Sequence, residues 1–208
     1  MIKYDYARTK FFITADDMKG LPLSSMEIAI AGRSNAGKSS LLNKLTNQNR
    51  LAYTSKTPGR TQHINYFALP EREDLFLVDL PGYGYAKVPD KIRNHWEKLL
   101  GQYLQTRKEI LGLVLIMDSR HPLKELDYKM LDFFGSTGKP IHIVLSKVDK
   151  LTIQEKNKTI QTVKAALTEG GYKNFSIQLF SCPKNVGIEE LQQTLNGWIN
   201  NQITQEII

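Results

Sequence analysis

Residues 32–39, GRSNAGKS, decide how this chain is read. Gly32 and Gly37 frame four residues, and Lys38 and Ser39 follow. The apolar run EIAIA, 27–31, precedes the stretch and reads as a strand. Leu41, Leu42 and Leu45 come after it on one face of a helix. A glycine-rich turn between a strand and a helix is the setting of a phosphate-binding P-loop. Its glycines let the backbone curl through Arg33, Ser34, Asn35 and Ala36 until N–H groups converge on phosphate oxygens. A β-carbon at Gly37 would obstruct that approach. Lys38 sets a positive charge against the outer phosphates, and the Ser39 hydroxyl suits Mg²⁺. The helix that continues through Ser40 adds the positive end of its dipole.

Working outward, apolar runs at 26–32, 64–69, 75–79, 111–118, 141–146 and 175–180 read as six strands. LGLVLIMD and IHIVLS are almost continuously apolar, as strands buried on both faces are. INYFAL alternates, which suits an exposed edge strand. Between the strands, apolar residues recur at helical spacing: Ile92, Trp96, Leu99 and Tyr103; then Leu123, Leu126, Met130 and Phe133. Ile160, Val163 and Leu167 mark a further helix that ends at Gly170-Gly171, and Ile188, Leu191, Leu195 and Trp198 mark the last. This alternation predicts an α/β domain with a mostly parallel sheet and helices on both faces. One domain is expected at 24–203, with an N-terminal arm at 1–23 packed on it and a tail at 204–208.

The bulk properties agree with a soluble globular chain. Of 208 residues, 41% are hydrophobic and 24% charged. Cys182 is the only cysteine, so no intrachain disulfide can form. The start, MIKYDYARTKFF, lacks the apolar core of a signal peptide, and LGLVLIM is too short to span a bilayer. A reducing cytoplasm is the expected location, with no membrane or DNA partner. The net charge of +7 fits either surface solubility or an acidic partner such as nucleic acid.

Ligands of such sheets sit at the carboxyl ends of the strands, so the loops there carry the chemistry. After the third strand comes DLPGYG, 79–84. Asp79 suits a Mg²⁺ ligand, and Gly82, after Leu80 and Pro81, can offer its N–H to a γ-phosphate. A contact that exists only while the third phosphate is present makes a switch. The fifth strand ends in SKVD, from Ser146 through Lys147 and Val148 to Asp149. The Asp149 carboxylate can accept N1–H and the 2-amino group of guanine together, a pair adenine cannot supply. The stem of Lys147 can lie along the purine face. The sixth strand ends in Phe180, Ser181 and Cys182, where the N–H groups of Ser181 and Cys182 can reach guanine O6. The polar segment between Arg50 and His63, RLAYTSKTPGRTQH, reads as a loop that lends a second hydroxyl to Mg²⁺. Thr61 is the choice and Thr57 the rival, with Gly59, Arg60, Gln62 and His63 around them.

In order and spacing these motifs resemble the translation-factor-related P-loop GTPases. GRSNAGKSSLLN, TPGRTQ, DLPGYGYAKV, MDSRHPLKELD, SKVDK and FSC are similar to the EngB (YihA/YsxC) family of bacterial GTPases associated with assembly of the large ribosomal subunit. The resemblance runs from 27 to 182. It implies a G-domain fold with one antiparallel edge strand, GTP and GDP as ligands with Mg²⁺, and slow GTP hydrolysis that depends on Lys38, Thr61 and Gly82. Its implied partners are the RNA and proteins of the large ribosomal subunit, met by a monomer, with a consequence for cell division and septation. Ser146 stands where the wider class has Asn. Tyr83 stands where many GTPases carry a water-orienting Gln, which implies slow intrinsic turnover. Asn35 occupies the position where related GTPases hold K⁺, or it caps the loop. Lys56, Arg60, Lys87, Arg120 and Lys124 would form a basic face for RNA. His63, His95, His121 and His142 show no metal-ligand spacing. Two other readings stay open: a different P-loop enzyme such as an ATPase, and an RNA-binding module with a structural nucleotide.

Overall fold

The chain is described from a computed structural model, which covers residues 2–52, 63–84 and 90–207; for 90–97 and 207 it gives the helical backbone alone. Seven strands form one sheet: β1 (Lys10–Ala15), β2 (Met26–Gly32), β3 (Ile64–Ala68), β4 (Leu75–Asp79), β5 (Ile110–Asp118), β6 (Ile141–Ser146) and β7 (Phe175–Leu179). Their order across the sheet is β1-β3-β4-β2-β5-β6-β7. β3 is antiparallel to both its neighbours, and every other pairing is parallel. The helices are α1 (Lys38–Leu45), α2 (Asp90–Thr106), α3 (Glu125–Gly135), α4 (Ile153–Glu169) and α5 (Ile188–Ile207). The α/β fold and its mostly parallel sheet are as the sequence predicts.

The pleat explains how two cores fit on one sheet. Successive side chains of β2 point to opposite faces. Ala29 and Ala31 join Leu99, Tyr103, Leu131, Phe134 and Val163 from α2, α3 and α4. Met26, Ile28 and Ile30 join Leu41, Leu42 and Leu45 of α1 and Leu191, Leu195 and Ile199 of α5. β5, next to the central β2, is buried on both faces, and its sequence is apolar almost throughout for that reason. No described helix is long and apolar enough to cross a membrane.

Three expectations need correction. The sheet has seven strands rather than six, because KFFITA in the expected N-terminal arm pairs with β3. Its apolar run, Phe11 to Ile13, is only three residues long and does not alternate, and five of the six strand residues are exposed. Consequently β3 is the antiparallel strand but lies inside the edge, covered by β1. The expected tail from 204 continues α5 as far as Ile207.

Gly112 in β5 shows how closely α5 is set against the sheet. A β-carbon there would fall 2.7 Å from Trp198 Cζ3 and 2.8 Å from two more atoms of that ring. Gly112→Ala is therefore expected to cost about 1–3 kcal/mol through overpacking, read from a urea unfolding curve. A midpoint equal to that of wild type would show that α5 can shift at little cost.

Candidate functional site

The carboxyl ends of β2, β4, β6 and β7 bring the sequence motifs together. Gly32 closes β2 at a point where a β-carbon would lie 2.8 Å from the Ile116 carbonyl oxygen of β5. The curl then needs positive φ at Asn35 (65°) and Gly37 (104°). Gly37 is the N-cap of α1 and supplies no side-chain cap. The first intrahelical bond runs from the Leu41 N–H to the Gly37 carbonyl at 2.9 Å. The N–H groups of Lys38, Ser39 and Ser40 thus lead the helix without helical acceptors, which is the arrangement that receives an anion. A β-carbon on Gly37 would make only ordinary contact with Ser146 at 3.7 Å, so among protein atoms its constraint is the backbone angle rather than space.

Within the curl, two N–H groups are already used. Ala36 donates to the Arg33 carbonyl (3.0 Å) and Ser34 to the Tyr83 carbonyl (2.8 Å). The second bond, with the Arg33–Tyr83 bridge, fastens the loop after β4 to the P-loop. Gly82 sits there with its β-carbon position 3.7 Å from the Ser34 backbone. Asp79 is buried at the end of β4 and forms an ion pair with the buried Lys38 ammonium. Leu80, buried, donates its N–H to the Ile30 carbonyl at 3.0 Å, and Pro81 is buried beside it.

β6 and β7 supply the other end of the site. The buried Ser146 hydroxyl reaches the Ala36 carbonyl (2.5 Å) and the Met117 carbonyl (3.1 Å). Lys147, at φ 60°, sends its ammonium to the Asn35 carbonyl (2.6 Å) and Asp118 Oδ2 (3.0 Å). Arg120 donates to both Asp118 oxygens, at 3.0 and 2.7 Å. Burial works against the charge on Asp118, yet the Arg120 guanidinium and the Lys147 ammonium hold its carboxyl well below the usual carboxylate range. A short 3-10 turn, Val148–Lys150, carries Asp149. The Ser181 hydroxyl donates to Asp149 Oδ1 at 2.7 Å, and that bond lowers the carboxyl below its ordinary value. Asp149 is thereby held charged and in one orientation, with lone pairs left over for a second donor pair.

Three comparisons bear on this geometry. The family described as "50S ribosome-binding GTPase" (MMR_HSR1) matches residues 27–147. The "Probable GTP-binding protein EngB" of Laribacter hongkongensis (strain HLHK9) is 58% identical over 193 residues, 93% of this chain and 86% of that protein. This chain belongs to the EngB family of GTP-binding proteins. Among solved structures, "a probable GTP-binding protein engB" superposes with a TM-score of 0.65 at 21% identity, covering 84% of this chain and 99% of that one. A bacterial selenocysteine-specific elongation factor gives 0.61 at 20% identity; the chain matches only 29% of its length, and the likeness is one of fold.

Within this EngB-family chain, the sequence-predicted residues fall into three groups. Gly32, Ser34 through Ser40, Asp79, Gly82, Ser146, Lys147, Asp149 and Ser181 converge as described. Others sit apart from where the sequence reading put them. Arg33 turns its side chain away from the curl to Asp127 (3.2 Å). His63, grouped with the Thr61 loop, pairs with Asp16 Oδ1 at 2.5 Å, beside β1. Phe180 and Val148 are core side chains, and their part in the loop is a Val148 N–H bond to the Phe180 carbonyl at 3.2 Å. The N–H of Ser181 is spent on the Val186 carbonyl at 3.1 Å, while its hydroxyl donates to Asp149. Thr57, Gly59, Arg60, Thr61 and Gln62, with Lys56 and Lys87, lie outside the described residues. Sequence reasoning missed Asp118 and Asp127. An acid ending the apolar strand LGLVLIMD was the available signal for the first; for the second it was the last residue of MDSRHPLKELD, at the N3 position of α3.

Proposed function

We propose that this EngB-family GTP-binding protein is a slow GTPase switch used in assembly of the large ribosomal subunit, and through that in cell growth and division. The observation that supports it most is the single constellation formed by the base-reading and phosphate-holding loops. Ser146 and Lys147 bond to P-loop carbonyls while Ser181 orients Asp149. An acceptor so placed selects guanine, because adenine would leave it unpaired. The N–H groups of Lys38, Ser39 and Ser40 would meet the phosphates, with the Lys38 ammonium. The Cys182 N–H would meet guanine O6.

Mg²⁺ fits the residues present. It accepts one or two protein oxygens, with phosphates and water completing the shell, and needs no dedicated acidic cage. Asp79, buried at a strand end, and Ser39, in the first turn of α1, are such donors, and Thr61 is the third proposed. When bound, the ion supplies charge neutralisation of the β- and γ-phosphate oxygens. Asp79 would then leave Lys38 free to do the same from the opposite side. K⁺ near Asn35 would add positive charge, and Asn35 lies in an αL turn of the P-loop, at φ 65°.

Support for an RNA partner comes from charge. Arg33, Arg120, Lys124 and Lys147 line, together with Asp118, a cavity of about 400 Å³ beside Asn35, on a chain of net charge +7. Tyr83 favours the second reading, an RNA-binding module with a seldom-hydrolysed nucleotide, because its hydroxyl is committed to Asp127 at 2.8 Å. The test is calorimetry with Mg²⁺, followed by multiple-turnover phosphate release with and without large ribosomal subunits, in K⁺ and in Na⁺. We expect heat from GTP and GDP but none from ATP, slow release alone, and faster release with subunits and K⁺. Equal binding of ATP would overturn the base assignment. Release that ignores subunits would move the protein to the second reading.

A further inference from the structure

Tyr83 directly follows Gly82, and its side chain leaves the phosphate side of the loop. The hydroxyl donates to Asp127 Oδ1 at 2.8 Å. Asp127 is fully buried and accepts two more bonds on Oδ2, from Arg33 Nε (3.2 Å) and from the Lys124 N–H (2.9 Å). Arg33 also donates to the His121 carbonyl at 2.8 Å. One carboxylate therefore ties together the P-loop, the loop after β4 and the first turn of α3. Two further contacts bring the same segments together. The Tyr83 carbonyl accepts from Ser34 at 2.8 Å, and Gly84, at φ 79°, lies where a β-carbon would fall 2.9 Å from Leu126 Cδ1. The Tyr83 hydroxyl is pushed well above its ordinary pKa, by burial first and then by the Asp127 charge, so it stays a donor at any working pH.

We propose that Tyr83 is a positioning residue: its hydrogen bond to Asp127 fixes the Gly82 peptide against the P-loop and links that peptide to the 120–124 turn at the start of α3. This rests on the GTP-binding reading above and adds to it the residue that sets how strongly a third phosphate is sensed. The physical argument is preorganisation. A loop already held at Tyr83, through its carbonyl and its hydroxyl, needs little further ordering to present the Gly82 N–H, whereas a released loop must be ordered at the expense of ligand affinity. The link also gives the basic turn at Arg120 and Lys124 a mechanical connection to the phosphate end of the site.

The experiment compares the full chain with Tyr83→Phe, Asp127→Asn and the double variant. Dissociation constants for GDP and for a non-hydrolysable GTP analogue are measured with Mg²⁺, beside a thermal melt. Phe keeps the ring in place and removes only the donor. The expected result for Tyr83→Phe is about five- to tenfold weaker binding of the triphosphate analogue, with GDP affinity within about twofold of wild type. An amide at 127 leaves one oxygen for the three donors that Asp127 accepts, so Asp127→Asn weakens the Tyr83 link rather than deleting it; the double variant is expected to be no worse than the more affected single variant, because both act through that link. A purely structural role would lower the melting temperature and leave the analogue-to-GDP ratio as in wild type, and that outcome overturns the proposal. A ratio shifted in favour of the triphosphate overturns it as well. A wild-type chain that binds neither guanine nucleotide brings down the underlying reading, and this proposal with it.

Discussion

Asp149→Asn is expected to weaken GTP binding by about two to four orders of magnitude and to turn the preference toward xanthosine triphosphate. The carboxylate offers acceptors only, and Ser181 fixes one of its oxygens from behind at 2.7 Å. An amide in the same place presents an NH₂ to the guanine 2-amino group, so two donors meet. Xanthine carries a carbonyl at that position and restores a donor–acceptor pair. The Ser181 bond survives the change, because the amide oxygen can still accept it, so the variant should fold as wild type does. Competition of both triphosphates against a fluorescent guanine nucleotide is the measurement. A variant that keeps its preference for GTP would remove Asp149 from base recognition.

The second large effect concerns stability, at the opposite end of the sheet. Glu27 begins the apolar part of β2 and is fully buried. It accepts Arg107 Nε at 3.0 Å and Nη2 at 2.8 Å, the Tyr103 hydroxyl at 2.7 Å and the Ser24 hydroxyl at 2.5 Å. Arg107 in turn donates to the Pro22 carbonyl at 2.6 Å. This network fixes the end of α2 beneath the sheet. Burial, and next the Glu27 charge, push the Tyr103 hydroxyl far above its ordinary pKa, so it stays protonated and able to donate to Glu27. Glu27→Ala leaves the buried Tyr103 phenol without its carboxylate acceptor and the half-buried Arg107 guanidinium with only Glu109 (3.3 Å), the Pro22 carbonyl and Ser24. Breaking such a pair from one side costs about 3–5 kcal/mol, against less than about 1 for an exposed one. In a chain of this length that corresponds to a fall in Tm of roughly 6–20 °C. Glu27→Gln, which keeps an acceptor, should lose less. A loss under about 1 kcal/mol for the alanine variant, measured by urea unfolding, would mean water reaches the site and the network contributes little.

Much of this was legible in the residues, and the reasons are specific. The six strands flanking helices announced themselves because a doubly covered sheet demands continuous apolar runs, as in β5 and β6. The P-loop was legible because its demands are local: positive φ, a small N-cap and a lysine at a fixed offset. β1 was not, since five exposed side chains leave its strand character to the pairing with β3. Direction was the general weakness. Arg33 was grouped with the P-loop and His63 with the loop around Thr61 by their neighbours in sequence, and the side chains of both are bonded to carboxylates that lie far away along the chain, Asp127 and Asp16. Ser181 was assigned its N–H when the hydroxyl is the working atom, because the reverse turn to Val186 cannot be seen until the chain is folded. Tyr83 was noticed for what it lacks compared with glutamine; its actual bond needed α3 in place.

Lys147 grows from the loop that ends β6 and rests its ammonium on the Asn35 carbonyl, inside a different loop. A transplant of residues 146–149 from a distant cousin would arrive without its footing unless the recipient curl offered a carbonyl at the same height. Nucleobase choice and phosphate grip thus behave as one inherited unit, and engineered chimeras should exchange both segments or neither.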